Sequence, residues 1–202
     1  MKLYDYQPFP HPRRVRMFLA EKGIDIPVEQ IDVMAGEHKS DSYLAKNPEG
    51  LVPLLELDNG DYISETVAIS RYFETIQPQP ALMGEDAEDK AIVEMWHRIV
   101  ESGLFNAIIH YFHHATDGLG DRRYRNKQWG EHNKAVALDT MEKLDKHLAN
   151  SRFIAGEIFT IADITAICGI DLGKLLEITI PAELNNLRRW YDELNQRDSA
   201  KA

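Results

Sequence analysis

The 202 residues include 23 Lys and Arg against 33 Asp and Glu, a formal net charge of −10, with 44% hydrophobic content. That is enough apolar material for a buried core, and the length admits one large domain or two small ones. The acidic balance argues against nucleic acid or an anionic membrane as partner, and a single cysteine, Cys168, excludes an internal disulfide.

Leu3–Tyr6 reads as a strand. It leads into HPRRVRMFLAEKG, a helix expected to begin near Pro12, where a missing N–H costs nothing, and to stop at Gly23. VEQIDV (28–33) is a second strand, parallel to the first because a helical crossover joins them. VPLLEL (52–57) and DYIS (61–64) form a hairpin around Asp58-Asn59-Gly60, since Asn-Gly supplies the positive φ angles of a tight turn. A proline inside a central strand would forfeit a ladder hydrogen bond, so Pro53 is expected at a strand's first residue or at an edge. TVAISRYFETI (66–76) returns to helical spacing. Together these make a small α/β domain over residues 1–77.

QPQPALMGED breaks every period and reads as a linker, placed at 78–87. Residues 88–202 are helical almost throughout. Ile92, Met95, Trp96, Ile99 and Val100 recur at three- and four-residue steps as one apolar stripe, continued by Leu104, Phe105, Ile108 and Phe112. DGLGDRR interrupts before a second long helix ending near Asn150. In FTIADI, the Thr160 hydroxyl and Asp163 carboxylate are spaced to cap a helix start. Cys168, in the apolar run ITAICGI, reads as a buried inert thiol. His110, His113 and His114 share helical spacing, but no Cys or carboxylate pattern accompanies them, so no metal is expected. The opening Met1–Tyr6 lacks the apolar core of a signal peptide, and no uncharged apolar run is long enough to span a bilayer. The expectation is a cytoplasmic protein with no membrane partner.

An α/β domain, a proline-rich linker and an all-helical domain, carrying GEHKSDSYLAKNPEGLVPLLELDNGDYISETVAI, the FTIADI box and the closing NLRRWYDELNQRDSAKA, resemble the cytosolic glutathione transferases over essentially the whole chain. GEHKS is most similar to the plant-type and theta-like branches and their bacterial relatives. The resemblance implies a thioredoxin-like glutathione-binding domain at 1–77 and an all-helical domain with an acceptor-substrate pocket at 88–202. It implies glutathione as co-substrate and a homodimer formed between the small domain of one subunit and the long helices of the other.

Residue by residue, the resemblance implies a cis Val52–Pro53 bond that turns the Val52 peptide toward the cysteinyl backbone of glutathione. It implies that Thr66 binds the γ-glutamyl carboxylate at a helix start shaped by Glu65, and that His38 and Lys39 meet the glycyl carboxylate. Relatives carry a polar residue where this chain has Leu51. The thiol, with a pKa near about 8.5, must be stabilised as its anion. Many bacterial relatives place a serine for this where Phe9 stands, and phenylalanine has no donor. Tyr6, His11, Tyr4 or backbone amides at the start of the first helix are the candidates left, with Tyr6 and His11 taken as the catalytic pair. Phe9, Tyr111 and His114, with Met95, are expected at the acceptor pocket. The activity implied is attack of the thiolate on a hydrophobic electrophile. The alternatives are a peroxidase or disulfide reductase using the same donor site, and a non-catalytic protein-binding module on the same scaffold.

Overall fold

The computed structural model describes residues 1–118 and 124–202. Met1–Ala81 together with Asp198–Ala202 form one unit, and Leu82–Arg197 the other.

The first unit runs β1 (Lys2–Asp5), α1 (Pro10–Lys22), β2 (Val28–Gln30), a 3-10 turn (Glu37–Lys39), α2 (Asp41–Leu44), β3 (Leu54–Glu56), β4 (Tyr62–Ser64) and α3 (Thr66–Ile76). The sheet order is β2-β1-β3-β4, with β1 and β2 parallel and the other pairs antiparallel. Helix α1 therefore serves as the expected crossover. Leu3 and Tyr4 point to opposite faces and both are buried, so the sheet is covered on both sides. One face packs Tyr4 with Ile31, Tyr43 and Leu54.

Three details differ from the sequence reading. Strand β2 ends at Gln30, because Asp32 accepts the Ala35 N–H and the Glu37 carboxylate takes the Asp32 N–H, folding 32–37 into a turn. At the hairpin only Gly60 has positive φ, at 87°, while Asn59 does not. The Leu57 carbonyl accepts the Gly60 N–H, so this is a three-residue connection with one left-handed glycine and not the two-residue Asn-Gly form. The last five residues, assigned by sequence to the helical domain, instead return to the first unit. There the Ser199 hydroxyl donates to Glu21, and the Arg13 guanidinium to the Ala200 carbonyl at 2.9 Å.

The second unit comprises α4 (Ala87–Val100), a π-helical turn (Glu101–Phe105), α5 (Asn106–Ala115), α6 (Lys127–Leu148), α7 (Ile161–Leu175) and α8 (Asn185–Leu194). DGLGDRR lies outside the described residues beyond Gly118. Helix α7 is buried at every position from Ile161 to Ile170, which makes it the central helix. Its start carries the expected capping box: Asp163 accepts from the Thr160 N–H at 2.9 Å, from Ile154 N at 2.9 Å and from Trp190 Nε1 at 2.8 Å.

On α4 the stripe read from sequence is displaced. Val93, His97 and Val100 face inward, with His97 Nε2 3.0 Å from the Thr165 hydroxyl, whereas Met95 and Ile99 are about half exposed. A hydrogen-bonded histidine takes a core position that hydrophobic periodicity assigns to an apolar residue. Among the described residues, no helix is long and apolar enough to cross a membrane.

Candidate functional site

Strand registers bring the candidates of the first unit together. In β3–β4 the pairs are Leu54 with Ser64, Leu55 with Ile63 and Glu56 with Tyr62. Continued by two residues, this register sets Pro53 beside Glu65 and Val52 beside Thr66. In β1–β3, Tyr4 pairs with Leu54, so the same continuation sets Tyr6 level with Val52. Tyr6, Val52–Pro53 and Glu65–Thr66 therefore share one end of the sheet. His38 and Lys39 join them through the turn at Gly50. The Lys39 ammonium donates to the Glu49 and Gly50 carbonyls at 3.0 and 3.1 Å. A Cβ on Gly50 would stand 2.6 Å from the His38 carbonyl oxygen, and its φ is +57°. Only glycine fits both demands.

The Val52–Pro53 bond is cis, and Pro53 lies just ahead of β3, a central strand. Two buried groups fix the approach to it, the Tyr43 hydroxyl and the Asn47 amide, which donate to the Leu51 carbonyl at 2.8 and 2.9 Å. Burial pushes the Tyr43 phenol up to about 12, so it stays a donor at any working pH. Neither the N–H nor the C=O of Val52 has a partner among the described residues. Half-buried backbone groups are rarely left so, and an extended ligand backbone is the natural complement.

Helix α3 opens beside this peptide without a side-chain cap. Glu65 precedes it at φ 71° and ψ 124°, a conformation that costs a non-glycine residue about 1–3 kcal/mol. Thr66 is the first helical residue and is 7% exposed. Uncapped amides and the helix dipole favour an anion here. The His38 imidazole is half-buried with no partner on Nδ1 among the described residues, and burial, then the Lys39 charge, holds its pKa below the usual value.

The β1–α1 loop holds the thiol-side candidates. The half-buried Tyr6 ring meets Phe9 edge-on, centroids 4.8 Å apart at 87°, and the Phe9 N–H donates to the Tyr6 carbonyl at 3.0 Å. Phe9 is the N-cap of α1 with no side-chain cap, and His11 lies in its first turn. Pro8, Pro10 and Pro12 remove three amides from this stretch. Tyr4 is committed elsewhere: it is 1% exposed, donates to the Glu56 carboxylate at 2.5 Å and accepts from Lys46 at 2.5 Å. The first of these bonds lowers the Glu56 pKa, and the second raises that of Lys46.

In the second unit Tyr111 is half-buried on α5 beneath the Lys134 ammonium, 5.1 Å from the ring centroid. His114 Nδ1 accepts the Asn126 N–H at 3.2 Å, which leaves the proton of a neutral ring on Nε2. His110 lies 6.2 Å from His114 between ring centroids, and its pKa is lowered, first by burial and then by His114. Among the described residues no three His, Cys, Asp or Glu groups are placed to hold a metal.

With this geometry in view, residues 10–76 match the family model for the glutathione S-transferase N-terminal domain, and residues 107–198 match that for the glutathione S-transferase C-terminal domain. The chain belongs to the glutathione S-transferase family. Glutathione S-transferase 2 of Saccharomyces cerevisiae is 39% identical over 205 residues, covering all of this chain and 88% of that protein. Glutathione S-transferase F9 of Arabidopsis thaliana is 31% identical over 211 residues, covering 100% and 95%. The crystal structure of a glutathione S-transferase domain-containing protein from Marinobacter aquaeolei VT8 has a TM-score of 0.95 at 41% identity, covering 98% and 99%.

Sequence reasoning about this glutathione S-transferase missed Tyr43 and Asn47, which hold the Leu51 carbonyl. Asn47 ahead of Pro48 was the available signal, since Asn before Pro marks a turn whose side chain bonds nearby backbone.

Proposed function

We propose that the chain is a glutathione S-transferase that binds glutathione along the Val52 peptide and delivers its thiolate to a hydrophobic electrophile. The observation that carries this reading is the pairing of the unpartnered Val52 peptide with the uncapped start of α3 two register steps beyond the β3–β4 ladder. The γ-glutamyl carboxylate is assigned to Thr66 and the α3 amides, with Glu65 setting the turn. The cysteinyl backbone pairs with Val52, presented by cis Pro53. The glycyl carboxylate is assigned to His38, with Lys39 bracing the turn at Gly50 through its two carbonyl contacts.

Tyr6 is assigned as the hydroxyl donor to the thiolate and His11 as the second group at the mouth of α1. The sulfur then attacks the electrophilic carbon of an aryl halide, the S–C bond forming as halide leaves with its electron pair. Acceptor recognition is assigned to Phe9 and, in the second unit, to Tyr111 and His114. A cytoplasmic homodimer with a role in detoxification completes the proposal; of these, only the dimer has support in the structure, from the half-exposed Met95 and Ile99 on α4 and from Leu51 at 55% exposure in the first unit. Retention on immobilised glutathione followed by turnover of aryl halides tests it. Retention with turnover of hydroperoxides alone redirects the reading to a peroxidase, and absence of retention removes the glutathione assignment.

A further inference from the structure

We propose that Asp5, Arg16 and Gln30 are positioning residues that clamp the β1–α1 loop so that Tyr6 stays at the glutathione sulfur. The inference rests on the assignment of thiol activation to that loop. The three side chains come from β1, α1 and β2 and form a closed ring with the backbone of Gln7. Arg16 Nη1 donates to Asp5 Oδ1 at 2.7 Å, and Arg16 Nη2 donates to the Gln7 carbonyl at 2.9 Å. On the other side, Gln30 Oε1 accepts the Gln7 N–H at 2.9 Å, and Gln30 Nε2 donates to Asp5 Oδ2 at 2.8 Å. Both Asp5 oxygens and both backbone groups of Gln7 are thus taken up.

Gln7 is itself exposed, flanked by Tyr6 and Pro8 and followed by Phe9, so the clamp grips the loop at the residue next to the proposed donor. Ordinary surface loops carry no such support. The Asp5 side chain is 1% exposed and that of Arg16 15%, an ion pair largely removed from water in which both Arg16 Nη groups and both Asp5 oxygens are bonded while Arg16 Nε has no partner among the described residues. Here each bond leads to the loop or to a residue that holds it. A hydrogen bond to a thiolate depends steeply on donor distance and angle, so a loop free to shift by an ångström loses the donor without losing the glutathione carboxylates. The clamp therefore acts on the chemical step and spares binding, whose contacts lie at Val52, Thr66 and His38.

The variants Arg16→Lys and Gln30→Leu test this. A lysine ammonium cannot span the Asp5 carboxylate and the Gln7 carbonyl as the guanidinium fork does. Gln30→Leu alters an exposed strand residue and leaves the Asp5–Arg16 ion pair intact. In each variant four quantities are measured on the whole protein: the thiol pKa of bound glutathione by thiolate absorbance, kcat, KM for glutathione, and exchange of the Gln7 amide. The expected result is a thiol pKa raised by about one unit, kcat about tenfold lower, KM within about twofold, and faster Gln7 exchange. A thiol pKa depressed in the wild type and unchanged in both variants, whatever their melting temperatures, overturns the clamp while sparing the assignment of function. An undepressed thiol in glutathione-bound wild type overturns both.

Discussion

Replacing Tyr6 with phenylalanine removes one hydroxyl and keeps the ring. The edge-on contact with Phe9 at 4.8 Å survives, and the hydroxyl has no partner among the described residues, so the fold should lose almost nothing. The effect on bound glutathione is larger. A hydrogen bond to a charged group is worth about 1.5–3 kcal/mol, and one pKa unit is about 1.36 kcal/mol, so the thiol pKa should rise by about one to two units. Nothing else in the loop compensates fully. The dipole of α1 contributes about 0.3–1 kcal/mol, less than one unit, and Pro8, Pro10 and Pro12 withhold three amides. The assay is thiolate absorbance of bound glutathione against pH in wild type, Tyr6→Phe and His11→Ala, alongside kcat with an aryl halide. Tyr6→Phe should titrate higher and turn over more slowly at neutral pH, with glutathione affinity unchanged. A Tyr6→Phe titration identical to wild type, with His11→Ala shifted upward, would move the donor role to His11 and refute the assignment.

At the α7 cap, Asp163 presents two oxygens to the Ile154, Thr160 and Trp190 N–H groups, and an asparagine presents one. Asp163→Asn should lower stability by about 2–4 kcal/mol by chemical denaturation while glutathione affinity holds. Burial raises the Asp163 pKa to about 6 despite those donors. The folded protein therefore holds a proton there more tightly than the unfolded chain, so stability falls as pH rises from about 4 through 6 while the cap contacts remain, and Asp163→Asn should abolish that slope. Glu65→Gly relieves a positive φ worth about 1–3 kcal/mol against about 0.5–1 kcal/mol of added chain entropy. It should raise the melting temperature while weakening glutathione binding. Because burial holds the His38 pKa low in the free protein, pairing with a carboxylate should raise it on glutathione binding, and affinity should increase as pH falls through the imidazole range. An NMR titration of His38 that is the same with and without glutathione contradicts that role.

Much of this was legible because it is local. The Thr160-x-x-Asp163 cap is a matter of spacing along one turn. The place of Pro53 ahead of a strand follows from its missing N–H, and the crossover between β1 and β2 from chain connectivity. The misreadings came where a side chain overrode a pattern. Asp32 and Glu37 closed a turn inside an apparent strand, and buried His97 took a core position on α4. At the hairpin a single left-handed Gly60 replaced the paired turn that Asn-Gly suggested. What stayed hidden depends on distant partners. The ring joining Asp5, Gln7, Arg16 and Gln30 draws on three elements, and the backbone angle of Glu65 has no signature in its residue type. Tyr4 and Tyr6 are equivalent candidates by strand alternation, and only the bonds of Tyr4 to Glu56 and Lys46 set them apart.

Calorimetric titration of reduced glutathione into the wild-type protein and Thr66→Ala tests the central assignment most directly. Saturable binding at one site per chain is predicted, weakened in Thr66→Ala by about 1.5–3 kcal/mol for a lost hydrogen bond to a carboxylate, with the melting temperature of the free protein nearly unchanged. Equal affinity in the two proteins, or no binding to either, would contradict a glutathione site at Val52 and the start of α3.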